Sequence, residues 1–256
     1  MTRAERLAAL LEQLVDDGRL DVEEAAERHG VSPATVRRDL DYLADQQLLS
    51  RTHGGAVPNT TSYDLPLRFK ATSRGDAKQR IARRAVEMLW PGCTCALNGG
   101  TTTVEIARAI PGVQALRGGV TVVTNAVNIA TELTVRPFIK IVVSGGVARP
   151  QTYELVGPIA SETLGRLTPD LCFLGATGVD AVAGVTSDDE GEAAVNRVMV
   201  QQAKRTIVVA DSVKLGRIGF ARICGLTDVG GLLTDAGAAP EMLEAIRGLG
   251  LEVLVA

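Results

Sequence analysis

Apolar positions in the first sixty residues recur at helical spacing. Leu7, Leu10, Leu11 and Leu14 fall at i, i+3, i+4 and i+7, with Val15 widening the stripe, and predict an amphipathic helix over residues 3–17 that stops at Gly18. Asp21 stands three residues before Glu24, the spacing of a capping box, and opens a short second helix through Val22, Ala25 and Ala26 to Gly30. Ser32 then Pro33 is another start signal: a hydroxyl for the free amides, followed by a proline where a missing N–H costs nothing. The third helix runs from Pro33 to about Gln46 and turns Val36, Leu40 and Leu43 toward the first two. Two helices joined through the tight Gly30-Val31-Ser32 turn meet the requirement of a helix-turn-helix. Residues 50–57 read as an extended arm, a double-glycine turn at Gly54-Gly55 and an extended return, a β-hairpin wing.

From Lys78 the pattern changes to helices alternating with short β-branched runs. Helices are expected through Ile81 to Leu89, Thr102 to Ile110, and Ile129 with Leu133. Strands are expected at Thr94 to Leu97, Val120 to Val123, Ile139 to Val143, Leu171 to Leu174, Ile207 to Ala210, Gly231 to Thr234 and Leu251 to Val255. This alternation predicts an α/β fold, an open and mostly parallel sheet covered on both faces. The expected organisation is a winged helix-turn-helix head at residues 1–58, a linker at 59–76 and an α/β domain at 77–256.

Composition narrows the function. The 256 residues are 46% hydrophobic and 22% charged, and no run approaches the length of a membrane span; the first helix, with its charges, does not resemble a signal peptide, so a cytoplasmic protein without a membrane partner is expected. Eight aromatics leave little to stack against unpaired bases. Four cysteines and two histidines show no zinc spacing, and reduced buried thiols are expected, with no metal and no cofactor. The net charge of −3 hides a division: residues 1–58 carry −4, residues 59–84 carry +5 through Arg68, Lys70, Arg74, Lys78, Arg80, Arg83 and Arg84, and the remainder carries −4. A head with only seven arginines can dock selectively on a duplex but cannot coat one.

The third helix supplies the docking chemistry. Opposite its apolar side lie Ala34, Thr35 and Arg38, then Tyr42 and Asp45, with Arg37 on a flank. Small or hydroxyl side chains and arginine at the N-terminal end suit entry into a major groove, where arginine pairs with guanine. Ser32, Ala34, Thr35, Arg37 and Arg38 are the candidate DNA-contacting residues, joined by Arg51 and His53 of the wing.

In open α/β sheets ligands bind beyond the carboxyl ends of the strands. There the sequence places Asn98-Gly99-Gly100-Thr101-Thr102, a glycine turn opening a helix whose free amides suit a phosphate. Asn125, Gly145, Gly146, Arg149, Asp180, Asp211 and Lys214 follow other strands. Small residues for clearance, Asn and Asp for hydroxyls, and Lys or Arg for charge describe a phosphorylated polyol site, with Lys214 as the best single cation.

The run from Val31 to Leu40 followed by Leu43, Leu49, Arg51 and His53-Gly54-Gly55-Ala56 resembles the DeoR family of bacterial transcription regulators. So do Lys78-Gln79-Arg80-Ile81-Ala82, the Gly99 to Thr102 loop, Val123-Thr124-Asn125, Gly145-Gly146, Leu155-Val156-Gly157-Pro158, Ala210 to Lys214 and Thr234-Asp235. The resemblance implies a sensor domain similar in fold to ribose-phosphate isomerases, a double-stranded DNA operator, a phosphorylated sugar as effector, a homo-oligomer, and repression of carbohydrate genes relieved by that effector. Two positions depart from the family pattern: Gln47 where glycine usually precedes the wing, and Asn98 where Asp is common, which removes a charge beside the loop. The competing expectation is a sugar-phosphate isomerase carrying an accessory DNA-binding head. Asp180, Glu190, Asp211 and Lys214 are its candidate groups, but Asn98 lacks a carboxylate and neither histidine lies in the domain. No catalytic residue is expected.

Overall fold

A computed structural model of the chain describes residues 2–46, 48–58 and 75–256, which divide into two compact units, Met1–Gly75 and Asp76–Ala256. Gln47, the side chain of Val15, and the stretch 59–74 with Arg68, Lys70 and Arg74 lie outside the described residues.

The first unit contains α1 (Arg3–Asp17), β1 (Leu20–Asp21), α2 (Val22–His29), α3 (Pro33–Asp45), β2 (Leu49–Thr52) and β3 (Gly55–Pro58). Its helix ends follow from local chemistry. The reciprocal capping box falls at Thr2 and Glu5 on α1, whereas Asp21 caps α2 through the amides of Glu23 and Glu24 alone. Gly18 and Gly30 close α1 and α2 in the left-handed conformation that a Cβ disfavours. Leu10, Leu11, Leu14, Val36, Leu40, Leu43 and Leu49 form the core.

The wing differs from its sequence reading in two respects. The turn is His53-Gly54, not Gly54-Gly55, and Gly55 starts β3. There β1 adds a third antiparallel strand in the order β1-β3-β2, and a Cβ on Gly55 would collide with the Leu20 carbonyl. The second glycine therefore serves strand contact rather than the turn.

The second unit opens with α4 (Gly75–Val86), β4 (Thr94–Leu97), α5 (Thr101–Ala109), β5 (Val120–Thr124), α6 (Val127–Thr134) and β6 (Ile139–Val143). It continues with β7 (Val147–Ala148), β8 (Leu155–Val156), α7 (Pro158–Leu164), β9 (Leu171–Gly175), β10 (Gly178–Asp180), β11 (Gly184–Ser187) and α8 (Glu190–Gln202). It ends with β12 (Thr206–Val209), β13 (Ala221–Cys224), β14 (Gly231–Thr234), α9 (Pro240–Gly248) and β15 (Val253–Val255). Seven strands form one sheet in the order β15-β14-β12-β9-β4-β5-β6, every pair parallel.

Alternate residues of each strand enter opposite cores. Cys95, Leu97, Phe173 and Val209 pack on one face with Ile81, Ile106 and Ile129, while Ala96, Cys172, Leu174 and Val208 pack on the other with Leu164, Met199 and Ile246. Burial on both faces is why these strands read as unbroken apolar runs. All four cysteines are buried and reduced; low polarity drives the Cys172 and Cys224 thiols up to about 12. Antiparallel β10, β11 and β13 form a separate small sheet, whose strands the sequence pattern did not reveal.

The chain runs from β4 outward to β6, then returns to lay β9 on the other side of β4 and proceeds outward again. The order of strands therefore reverses between β4 and β9, the place in such sheets where a crevice opens beyond the strand ends. Register pairs Leu97 with Thr124 and Phe173, Val209 with Gly175, and Thr124 with Val143. Asn98, Asn125, Ser144, Gly175 and Asp211 consequently follow neighbouring strands at one edge.

Candidate DNA-binding face and effector site

On α3, Ser32 accepts from the Thr35 amide at 3.2 Å and its hydroxyl meets that of Thr35 at 2.9 Å, so these two side chains fix the helix start. Ala34, Arg37 and Arg38 are exposed. Arg37 pairs with Glu23 of α2 at 2.9 Å, and Arg38 donates to the Ala34 carbonyl at 3.3 Å. Both are surface contacts that a phosphate or a base can replace at small cost.

Arg51 is tied more firmly. It donates to the Gly55 carbonyl at 2.7 Å and pairs with Asp41 at 2.9 Å, which holds the wing against α3. His53 occupies the exposed wing tip. Tyr42, placed on the outer face by periodicity, lies under the Arg3 guanidinium, 4.7 Å from the ring centroid, and so belongs to the seam between α1 and α3.

Sequence reasoning missed Asp39. It sits on the buried side beside Leu40 and accepts from Arg6 at 2.6 Å, with Arg3 at 3.5 Å. Its signal was an acid three residues after Val36, on the apolar stripe. Lys78, counted in the basic strip, is buried in α4, whereas Arg80, Arg83 and Arg84 are exposed.

The strand ends of the second unit hold a second group of polar residues. Asn98 is fully buried at the reversal point: its Oδ1 accepts from the Gly175 amide at 2.7 Å and its Nδ2 donates to the Gly175 carbonyl at 3.0 Å. Asn98 thus bridges β4 and β9 with both ends of its amide, a pairing that Asp cannot make because it has no donor when ionised. Gly100 follows at φ 146°, no side chain caps the helix start, and the first-turn amides of α5 stay available to an anion beside Thr101 and the buried Thr102.

Gly99 admits a neighbour. A Cβ there would overlap the side chain of Glu154, whose Oε1 lies 2.6 Å from that position. Gly145 and Gly146 turn away from β6 at φ 71° and 123°, and a Cβ on Gly146 would lie 2.7 Å from the Val156 carbonyl. Asn125 donates from Nδ2 to Glu154 Oε2 at 3.0 Å and leaves its buried Oδ1 without a partner.

Arg149 is neither on the surface nor alone. It pairs with Asp189 at 2.6 Å and with Glu192 at 3.0 Å, and Glu192 also accepts from Thr152 at 2.5 Å and Ser187 at 3.1 Å. Burial pushes Glu154 well above the usual carboxylate range, aided by repulsion from Glu192. Glu154, Glu192 and Asn196 were not singled out from sequence, because a buried acid beside an apolar run has no local signature.

Asp211 is buried with Oδ1 unpartnered, and Lys214 lies one short turn later. Asp235 accepts from the amides of Ser212 and Gly237, which holds that turn. Asp180 holds its own turn. Its Oδ1 accepts from the amides of Val182 and Ala183, both at 2.8 Å, and these bonds hold its carboxyl below the usual range. The preceding residue, Val179, bridges to Leu215 beside Lys214.

Residues 6–62 match the DeoR-like helix-turn-helix domain and residues 73–236 match the DeoR C terminal sensor domain. The chain belongs to the DeoR family. Among its relatives, the HTH-type transcriptional regulator GlpR of Haloferax volcanii is 36% identical over 99% of this chain and 98% of its own. The glycerol-3-phosphate regulon repressor of Escherichia coli K12 is 28% identical over 96% of each. A solved ribose 5-phosphate isomerase A from Methanocaldococcus jannaschii aligns at 18% identity over 56% of this chain and 55% of its own, with a TM-score of 0.43. The DeoR pairing of a DNA-binding head with a sensor domain corresponds to the two compact units of this chain. Among the described residues no helix is long and apolar enough to cross a membrane.

Proposed function

We propose that this DeoR-family regulator is a cytoplasmic repressor of sugar or carbohydrate metabolism genes, released from its operator by a phosphorylated sugar. The observation that carries the reading is the uncapped start of α5 at the strand reversal, with Gly99, Gly100, Thr101 and Thr102 around it. Polar residues for a polyol lie at the same edge in Asn125, Asp211 and Lys214, with Gly145 and Gly146 giving clearance. Arg149 contributes through its carboxylate pairs. The relative named for a glycerol-3-phosphate regulon supports a phosphate ester as the effector class.

Ser32, Ala34, Thr35, Arg37 and Arg38 enter the major groove, and Arg51 and His53 of the wing reach the adjacent backbone. The active form is a homo-oligomer, because two heads on half-sites about 34 Å apart suit a pseudo-palindromic operator. The protein is not an enzyme; its relatives are named as regulators, and the isomerase alternative has no observation of its own in its favour. The test is anisotropy of a labelled operator duplex titrated with the protein, with sn-glycerol 3-phosphate, D-fructose 6-phosphate or D-glucose 6-phosphate added. One ester is expected to release the DNA from the wild type but not from Lys214→Ala. Tight binding that no phosphate ester changes would overturn the reading.

A further inference from the structure

We propose that Glu154 recognises the effector as an uncharged acid, donating a hydrogen bond to an oxygen of the phosphate ester held by the Gly99 to Thr102 turn, and that its ionisation releases the ester. The inference rests on the phosphate-ester reading of that site and adds to it the group that sets affinity and its pH dependence.

Three observations meet at this side chain. Its carboxyl lies in the space left by the missing Cβ of Gly99, so it touches the turn that opens the uncapped helix α5. Among the described residues the cation that faces it is Arg149. That guanidinium also pairs with Asp189 on the cap of α8 and with Glu192 in its first turn. Glu154 is buried beside a cation that already serves other carboxylates, and ionisation there is unfavourable.

Among the described residues, several elements face Glu154. Glu192 and Asn196 come from α8, Arg149 from the turn between β7 and β8, and Asn125 from the end of β5; the β4 turn contributes Gly99, which is uncharged. Burial and Glu192 raise the Glu154 carboxyl, while Asn125, Asn196 and Arg149 lower it less. The unpartnered Oδ1 atoms of Asn125 and Asn196 show that the cluster around Glu154 is short of donors. A polyol phosphate brings hydroxyl donors to those acceptors and phosphoryl oxygens to a protonated acid. An ionised Glu154 would instead repel the phosphate.

The experiment is calorimetric titration of full-length protein with sn-glycerol 3-phosphate, D-fructose 6-phosphate, D-glucose 6-phosphate and inorganic phosphate between about pH 7 and about pH 9, where phosphate esters are already dianions because their second ionisation lies near pH 6. Buffers of different ionisation enthalpy report protons taken up on binding. Wild type should lose affinity toward the upper end of that range and take up protons as it binds there. Glu154→Gln, which keeps a neutral donor, should vary less than about twofold in affinity across the range and take up no proton. Thermal melts of each variant without ligand establish that it is folded. Equal pH profiles and equal proton uptake in wild type and Glu154→Gln would overturn the role of Glu154 while leaving the effector class standing. Failure of every ester to bind wild type would overturn both.

Discussion

The two units use polar side chains in opposite ways. In the head they stay outside: hydroxyls and acids cap helices, Arg37 and Arg38 stand exposed on α3, and the buried acid that ties helices together, Asp39, has two arginines for company. In the sensor unit the polar groups sit inside at the strand ends, where Asn98, Asn125, Glu154 and Glu192 are all buried and some oxygens have no partner. A surface that reads a large, rigid duplex needs a stable apolar core behind it. A site that closes around a small polar molecule keeps unsatisfied groups in reserve, and their cost is offset by packing elsewhere.

Four substitutions probe that contrast. Asp39→Ala leaves Arg6, a largely buried cation, without its partner, and should destabilise the head by about 3–5 kcal/mol. Calorimetric scanning should show a lowered or lost head transition and an unchanged sensor transition; coupled loss of both would mean that the units do not fold independently. Asn98→Asp replaces a donor by a charge against the Gly175 carbonyl and should cost the sensor about 2–3 kcal/mol, read from urea denaturation. An unaltered midpoint would remove the bridging role given to Asn98.

Arg38→Ala should weaken operator binding by about 1–3 kcal/mol in anisotropy titrations while the melting temperature stays fixed, since the residue is exposed. Asp180→Ala should cost less, on the order of 0.5–1 kcal/mol, and leave ester binding intact because the carboxylate serves its own turn. Its pH dependence has a definite sign. The folded-state value is depressed, so the contribution is complete above the ordinary aspartate range and disappears as pH falls through the lowered value. A wild-type to variant stability gap that widened toward acid pH would contradict that assignment.

Much of the fold was legible because the code was local. The Leu7 to Leu14 stripe, the Ser32-Pro33 start and Gly18 and Gly30 determine helices from their own neighbours, and doubly buried strands such as Leu171 to Leu174 announce themselves as β-branched or apolar runs. The small antiparallel sheet was harder, since β10 has three residues and its pairing with β11 and β13 is set by tertiary contact.

Site residues divided along the same line. Gly99 and Gly100 declared a turn that opens a helix, and Asn125 followed a clear strand. Glu154, Glu192 and Asn196 were invisible because their environment is assembled from three separate elements. Asp180 shows the converse: an Asp following Gly178 after a strand gives no local sign that it caps its own turn, which the amides of Val182 and Ala183 reveal.

As proposed, one chain reads a DNA sequence and releases it for a phosphate ester. Selection of bound duplexes from a random library, repeated with and without sn-glycerol 3-phosphate, D-fructose 6-phosphate and D-glucose 6-phosphate, tests both halves at once. An enriched sequence with two related half-sites about one helical turn apart is expected, and its loss in the presence of one ester. A library that stays unenriched, or an enriched site that none of the esters releases, would contradict it.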